Sequence, residues 1–204
     1  FWPRTALTDC AEGEVLFLLN KSADHFLCHA ANGYVGYIDA ASVRAIAPDE
    51  AQKLLNTPQP TAVSEQIEKL IQTARKYIGT KYVWGGLSKQ GVDCSGLVYC
   101  ACQSIGLTLA RDADQQVLAG RLVATRWFRG ALRRGDLLYF LGRDGSIHHT
   151  AIYLGRNQLL EATEPACKIS SFDPHDKNYS AKRDKSFCFA KRLVQSAPTT
   201  RPAR

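Results

Sequence analysis

One cysteine and one histidine carry the clearest chemical signal in this chain. Cys94 lies in the sequence VDCSGLV (residues 92–98), and His149 opens the sequence HTAIY (residues 149–153). Only a thiolate attacks a carbonyl carbon well, and a helix N-terminus or a neighbouring imidazolium lowers the pKa of a thiol. The pair therefore predicts a cysteine nucleophile and its general base. Taken alone, Cys94 could be a buried core cysteine, and His149 a structural histidine.

A carboxylate on the next strand would complete this pair. The turn at residues 155–157 (GRN) folds the chain back, so Glu161 is expected near His149 on the neighbouring strand. A carboxylate in that position fixes the tautomer of the imidazole and stabilises its protonated form. The alternative for Glu161 is a carboxylate at the rim of the site. His148 is the rival base, but the alternation of side chains along a strand turns it to the opposite face.

The pattern of the chain also predicts the elements that position these residues. Asp93 can cap a helix that begins at Cys94, which would place the thiol at the helix N-terminus. An earlier amphipathic helix is predicted over residues 64–79, and a short one over residues 111–120. Strands are predicted at residues 135–140, 149–154, 158–162 and 187–190. Helices followed by an antiparallel sheet indicate an α+β domain.

The first part of the chain has a different organisation. Short strands separated by tight turns are predicted at residues 14–19, 25–29 and 34–38, a pattern typical of a small β-barrel. Prolines then favour a linker, and the polar run at the end of the chain is expected to be a frayed tail. The predicted division is a barrel (1–50), a linker (51–64), a main domain (65–194) and a flexible tail (195–204).

Composition limits the class of protein and of partner. The 204 residues are 45% hydrophobic, enough for one or two folded domains, and no apolar run approaches the length of a membrane span. The formal net charge of +7 favours an anionic partner, either nucleic acid or bacterial cell wall, although a basic enzyme with solvated lysines is the commoner case. No aromatic and basic fingerprint supports nucleic-acid binding. Because the chain has no Met, we expect it to begin after processing or truncation.

The cysteines do not fix the redox compartment. There are seven, so at least one thiol stays unpaired if the others form disulfides. Cys10 with Cys28, or Cys167 with Cys188, could pair, and buried free thiols are an equal alternative. No CxxC pair or Cys/His cluster has the spacing of a zinc site, so the sequence predicts no metal and no other cofactor.

The order of the motifs resembles that of the NlpC/P60 family, the papain-like cysteine peptidases of bacterial cell-wall peptides. The motifs are YVWGG (82–86), VDCSGLV (92–98), RRGDLLYF (133–140) and HTAIYLG (149–155). The resemblance spans residues 65–193 and implies a papain-like fold, with helices packed on an antiparallel sheet. It also implies that Cys94 is the nucleophile, that His149 is the base, and that Tyr82 lies beside the nucleophile. The third residue of the family is most often His, and Glu161 stands in its place here.

Residues 1–50 resemble a bacterial SH3 domain. In that family a Gly-Tyr-x-Gly-Trp strand recurs, and Tyr37 stands here where Trp is usual. An SH3-like domain before an NlpC/P60 domain is similar to the arrangement of the γ-D-glutamyl-L-diamino acid endopeptidases. The resemblance therefore implies that residues 1–50 form a small SH3-like β-barrel that binds cell wall or shapes one end of the cleft.

The same resemblance implies a set of substrate-binding residues. In those endopeptidases the positions of Asp93 and Ser95 line a pocket for the free amine of an N-terminal L-Ala. An Asp-Ser pair often adds to this pocket, and here that pair is Asp112 and Ala113, without the hydroxyl. Trp84 is either part of the pocket lining or a core aromatic. The simpler interpretation of Asp93 is that it only caps the helix.

The function implied is a cysteine endopeptidase that cleaves between γ-D-Glu and the diamino acid of peptidoglycan stem peptides. Its partners would then be peptidoglycan or murein peptides, with no nucleic acid. An amidase or acyltransferase on the same papain-like core is the nearest alternative, and a non-catalytic cell-wall-binding protein is another. A periplasmic or secreted protein is favoured, and a cytoplasmic one if the enzyme recycles peptides.

Overall fold

The computed structural model describes residues 16–29, 35–47, 50 and 61–194. The N-terminal part forms a three-stranded antiparallel sheet in the order β1-β2-β3. Its strands are β1 (Phe17–Lys21), β2 (His25–His29) and β3 (Val35–Asp39). The predicted short strands are therefore confirmed where the chain is described. The SH3-like barrel stays a prediction, since residues 1–15 and 30–34 lie outside the described residues.

After a short 3-10 helix at Ala40–Ser42, the first long helix starts earlier than the sequence pattern predicted. Helix α1 covers Thr61–Arg75, so residues 61–64 are helical although they were expected to belong to a linker. The prolines explain this error, because Pro60 directly precedes the helix and proline is tolerated at a helix start. The rest of the predicted linker (51–60) and the predicted tail (195–204) lie outside the described residues.

A six-stranded antiparallel sheet forms the centre of the main domain, in the order β10-β9-β8-β7-β11-β6. Its strands are β6 (Arg121–Thr125), β7 (Leu137–Leu141), β8 (Ile147–Gly155), β9 (Gln158–Glu161), β10 (Lys168–Ser171) and β11 (Phe187–Arg192). Strands β7, β8, β9 and β11 confirm the predicted ones, whereas β6 and β10 were not predicted.

Short elements connect α1 to the sheet. A small hairpin of β4 (Leu87–Ser88) and β5 (Gly91–Val92) leads into α2 (Cys94–Gln103). Helix α3 covers only Ala113–Gln116, which is shorter than predicted, and α4 (Ala181–Ser186) precedes β11. These elements together give the expected α+β architecture.

The sheet is buried on both faces. On one face Ile152 and Leu154 of β8 pack in the cluster that contains Leu70 of α1 and Leu97 of α2. On the other face Ala151 and Tyr153 of β8 pack in a second cluster, which holds Leu138, Phe140 and Phe187. The alternation predicted for β8 is therefore confirmed, and it assigns His149 to the face of Ala151.

The cysteines of the main domain are not paired in this structure. Cys167 and Cys188 carry free thiols, so the disulfide considered between them is not formed, and Cys10 lies outside the described residues. In the part of the chain that the structure describes, no helix combines the length and the apolar character needed to cross a membrane.

Candidate active site

Cys94 is the first residue of α2, and the local sequence explains why the helix begins there. The Asp93 carboxylate accepts the N–H of Gly96 at 2.7 Å, which caps the helix. The thiol is 6% exposed. Burial raises the pKa of Cys94, while the backbone N–H groups of Thr150 and Ser95 act in the opposite direction. The resting thiol therefore keeps its proton, and a base is needed to generate the thiolate.

An ion pair with Arg111 holds the capping carboxylate of Asp93 in place. Arg111 donates to both oxygens of Asp93, at 3.0 Å and 2.7 Å, and also to the Ser95 hydroxyl at 2.9 Å. The N–H of Gly85 adds a further bond to the carboxylate at 2.7 Å. Burial alone would raise the pKa of Asp93, but Arg111 and the N–H groups of Gly96 and Gly85 hold it below its usual range. Asp93 is thus ionised and well supplied with donors.

His149 lies on β8 and is held by Glu161 of β9. Its Nε2 is 2.7 Å from Glu161 Oε2, and its ring packs against Phe140 with a centroid separation of 5.4 Å. Burial lowers the pKa of His149, Glu161 opposes this, and the charges of Arg183 and Lys182 lower it further. The imidazole is therefore a neutral base, with Nδ1 left to face a substrate or thiol.

The helix that begins at Cys94 packs against β8, the strand that carries His149. The backbone N–H of Thr150, the residue that directly follows His149, acts to lower the pKa of the Cys94 thiol. Among the contacts of the described residues, no hydrogen bond joins Sγ to the imidazole itself. Such bonds are often long in unliganded enzymes and shorten when substrate is bound. The thiol therefore lies close to the strand that carries His149, without a direct hydrogen bond to the imidazole among the described contacts.

Glu161 lies at the centre of a buried polar network that the sequence pattern did not reveal. The residue is 1% exposed, and it accepts bonds at 2.5 Å from both the Ser170 hydroxyl and Arg183 Nε. Burial would raise the pKa of Glu161, but the bond from His149, the charges of His149 and Arg183, and Ser170 lower it to about 2. Glu161 is therefore a permanent carboxylate that can orient His149.

Tyr82 lies on the Cys94 side of this network. The Tyr82 N–H donates to Pro165 O at 3.0 Å. Tyr82 also forms a parallel β-bridge with Val92, so it lies beside the chain just before α2 begins. Burial, reinforced by the charges of Cys94 and Asp93, raises the pKa of Tyr82 to about 12. Its hydroxyl therefore keeps its proton and can donate a hydrogen bond.

The remaining residues predicted to bind substrate differ in exposure. Ser95 is buried and bonded to Arg111, as described above. Trp84 is 84% exposed in the turn that leads to Gly85, so it is not a core aromatic. Asp112 is exposed and stands at the N-cap of α3 without a capping bond from its side chain. His148, the rival base, is exposed and pairs with Asp144 at 3.0 Å rather than with Glu161.

An open cleft lies beside His149, and we refer to it as the His149 cleft. Its buried or half-buried lining includes Tyr82, Phe140, His149, Glu161, Thr163, Ser180 and Arg183. Its exposed lining includes the cations Arg126, Arg143, Lys168, Lys182 and Lys185. Cys94 is not part of this lining.

Curated relatives match about half of this chain. The γ-D-glutamyl-L-lysine dipeptidyl-peptidase of Bacillus subtilis is 32% identical over 123 residues, which cover 58% of this chain and 40% of that protein. The γ-DL-glutamyl hydrolase of Bacillus subtilis is 39% identical over 97 residues, which cover 46% of this chain and 22% of that protein. The chain thus spans less than half the length of these two relatives.

A solved structure matches the fold of this chain, and a family profile matches a defined range of its residues. The peptidoglycan hydrolase RipB of Mycobacterium tuberculosis matches the fold with a TM-score of 0.52 at 26% identity, and the match covers 76% of each chain. The sequence profile of the NlpC/P60 family matches residues 79–188, more than half of the chain. These residues include Cys94, His149 and Glu161 together with the elements that hold them. The chain therefore belongs to the NlpC/P60 family.

Proposed function

We propose that this protein is a cysteine endopeptidase that hydrolyses the bond between γ-D-Glu and the diamino acid of peptidoglycan stem peptides. One observation carries the proposal: a buried thiol at a helix N-terminus lies against the strand that presents an imidazole fixed by a carboxylate. The names of the relatives support the choice of bond, because two of them act on γ-glutamyl linkages. The hydrolase RipB supports peptidoglycan as the substrate.

The reaction would begin with proton transfer from Cys94 to Nδ1 of His149. The thiolate then attacks the side-chain carbonyl carbon of D-Glu, and the carbonyl oxygen becomes an oxyanion. Among the residues that the structure describes, the Cys94 N–H has no hydrogen-bond acceptor, as expected for the first N–H of a helix. This N–H and the Tyr82 hydroxyl would stabilise the oxyanion.

In the second half of the reaction, His149 passes the proton that it took from Cys94 to the leaving group. The imidazolium of His149 donates it to the nitrogen of the diamino acid, the C–N bond breaks, and a thioester remains on Cys94. His149 then removes a proton from water, and the hydroxide attacks the thioester carbonyl. The C–S bond breaks, the D-Glu carboxylic acid leaves, and His149 returns the proton to the sulfur to restore the thiol. Glu161 would keep the imidazole in the productive tautomer and stabilise its positive charge in both steps.

For the amino end of the substrate we propose a pocket formed by Asp93, Ser95, Asp112 and Trp84. The charge of Asp93 is already balanced by Arg111, and several donors surround its oxygens. A free L-Ala ammonium would therefore gain less from Asp93 than from an unpaired carboxylate. We expect a preference for a free amine that is present but small.

The decisive experiment uses the tripeptide L-Ala-γ-D-Glu-diamino acid, with mass spectrometry of the products. The proposal predicts L-Ala-D-Glu and the free diamino acid, and no product from the Cys94→Ala variant. Products cut at another amide, or transfer of the acyl group to an added amine, would indicate an amidase or acyltransferase instead. Binding of peptidoglycan without any cleavage would indicate a non-catalytic wall-binding protein.

A further inference from the structure

The His149 cleft has an unbalanced charge. Its exposed cations come from separate elements: Arg126 follows β6, Arg143 lies in the turn between β7 and β8, Lys168 is on β10, and Lys182 and Lys185 are on α4. Among the described residues that line the cleft, Glu164 is the one exposed acid. The other carboxylate, Glu161, is already bonded to Arg183. The cleft therefore attracts anions.

The proposed reaction determines which half of the substrate enters this cleft. The group that protonates the leaving nitrogen must lie within hydrogen-bond distance of it. His149 has that role and lines the cleft, whereas Cys94, which holds the acyl half, does not. Tyr82 lines the cleft and also lies close enough to Cys94 for their charges to interact. The leaving half, which His149 would protonate, would therefore enter the cationic cleft, and the acyl half would stay with Cys94 outside it.

We propose that the His149 cleft is an anion subsite that recognises free carboxylates on the leaving half of the substrate. This inference rests on the proposed function and adds a specificity to it. A leaving residue with free carboxylates gains charge-assisted hydrogen bonds from Lys168, Lys182 and Arg143. A residue whose carboxylates are converted to carboxamides loses these bonds, which makes the free acid the preferred leaving residue.

The test compares two tripeptides that differ only at the leaving residue. One has its carboxylates free, and in the other they are carboxamides. We expect a kcat/KM about tenfold higher for the free acid, which corresponds to about 1.4 kcal/mol. The preference should shrink when the salt concentration rises from about 0.01 M to about 1 M, because the screening length falls from about 30 Å to about 3 Å.

Variants locate the effect in the cleft. Replacing Lys168 and Lys182 together by Gln should reduce the preference for the free acid to about twofold, since two of the cations are removed. The matched control is Lys69→Gln, an exposed lysine on α1 outside the cleft, which should leave the preference unchanged. Equal kcat/KM values for acid and amide in the wild-type protein would overturn the subsite.

Failure of the proposed function is distinguishable from failure of the subsite. If the wild-type protein cleaves neither tripeptide, the peptidase proposal is wrong, and binding of both peptides is then measured by calorimetry on the Cys94→Ala protein. The subsite would still be supported if the Cys94→Ala protein binds the free acid more tightly than the amide. This difference should disappear when Lys168 and Lys182 are also replaced by Gln. Equal binding of acid and amide would reject it.

Discussion

Arg183 should control the pH range in which His149 acts as a base. Both residues contact the same oxygen of Glu161, at 2.5 Å and 2.7 Å, so their charged nitrogens are no more than about 5 Å apart. At an effective dielectric constant of about 20, two positive charges at that distance repel by about 3 kcal/mol. Protonation of His149 is opposed by this repulsion, and removal of Arg183 should therefore raise the pKa of His149.

The consequence is a shift in the pH dependence of kcat/KM. Because His149 must be neutral to take the thiol proton, activity is lost as the pH falls through the pKa of His149. Arg183→Met should move this acid limb of kcat/KM to higher pH by about one pH unit, since solvent and Glu161 screen part of the repulsion. Arg183→Lys keeps the charge, so its acid limb should stay near that of the wild-type protein.

The stability of the Arg183→Met protein must be measured as well as its activity. Breaking a buried ion pair costs about 3–5 kcal/mol when the remaining charge has no other partner. Glu161 keeps its bonds from His149 and Ser170 in Arg183→Met, so we expect a loss near the lower end of that range in urea denaturation. A folded Arg183→Met protein whose acid limb is unmoved, or lies at lower pH, would refute the reasoning.

The other predictions concern the residues that would carry out the reaction. Cys94→Ala and His149→Ala should each abolish hydrolysis of the tripeptide and leave the circular dichroism spectrum unchanged; normal turnover in either folded variant would contradict the mechanism. His148→Ala should retain most activity, because this side chain is exposed and pairs with Asp144. Glu161→Gln should be slower than wild type but faster than Cys94→Ala, because an amide accepts a bond from imidazole but does not stabilise its positive charge; an unchanged rate would make Glu161 a structural residue. Acetylation of the L-Ala amine should lower kcat/KM only by about two- to fivefold, since the adjacent carboxylate is already paired; a complete loss would mean that an unpaired anion binds the amine.

The parts of the site that depend on local pattern could be predicted from the sequence. Alternation along β8 separates His148 from His149, and a two-residue turn brings β9 back beside it, so the approach of Glu161 to His149 follows from strand geometry. The helix that begins at Cys94 follows from the capping preference of Asp93. These inferences need no knowledge of distant parts of the chain.

The parts that depend on distant contacts could not be predicted. Arg183 lies in the charged sequence AKRDKS of α4, a pattern that normally indicates a solvated surface. It is buried because α4 packs against β7, and because Glu161 of β9 and Thr163 just beyond it accept its hydrogen bonds. Ser170 was missed for a related reason, since β10 has little apolar character and forms by pairing with β9.

The charges of the site connect the two proposals. Each carboxylate beside the reacting groups is bonded to an arginine: Asp93 to the half-buried Arg111, and Glu161 to the buried Arg183. Because each pair is close to neutral, neither carboxylate leaves a strong negative field in the cleft. The exposed cations of the His149 cleft are therefore not cancelled by the site itself, and their field acts on whatever leaves with the protonated nitrogen. Loss of Arg183 would restore the negative charge of Glu161 to this region, so Arg183→Met should also weaken the preference for a leaving half with free carboxylates. An unchanged preference in that variant, at a pH where His149 is neutral in both proteins, would show that Glu161 does not contribute to the field that the substrate meets.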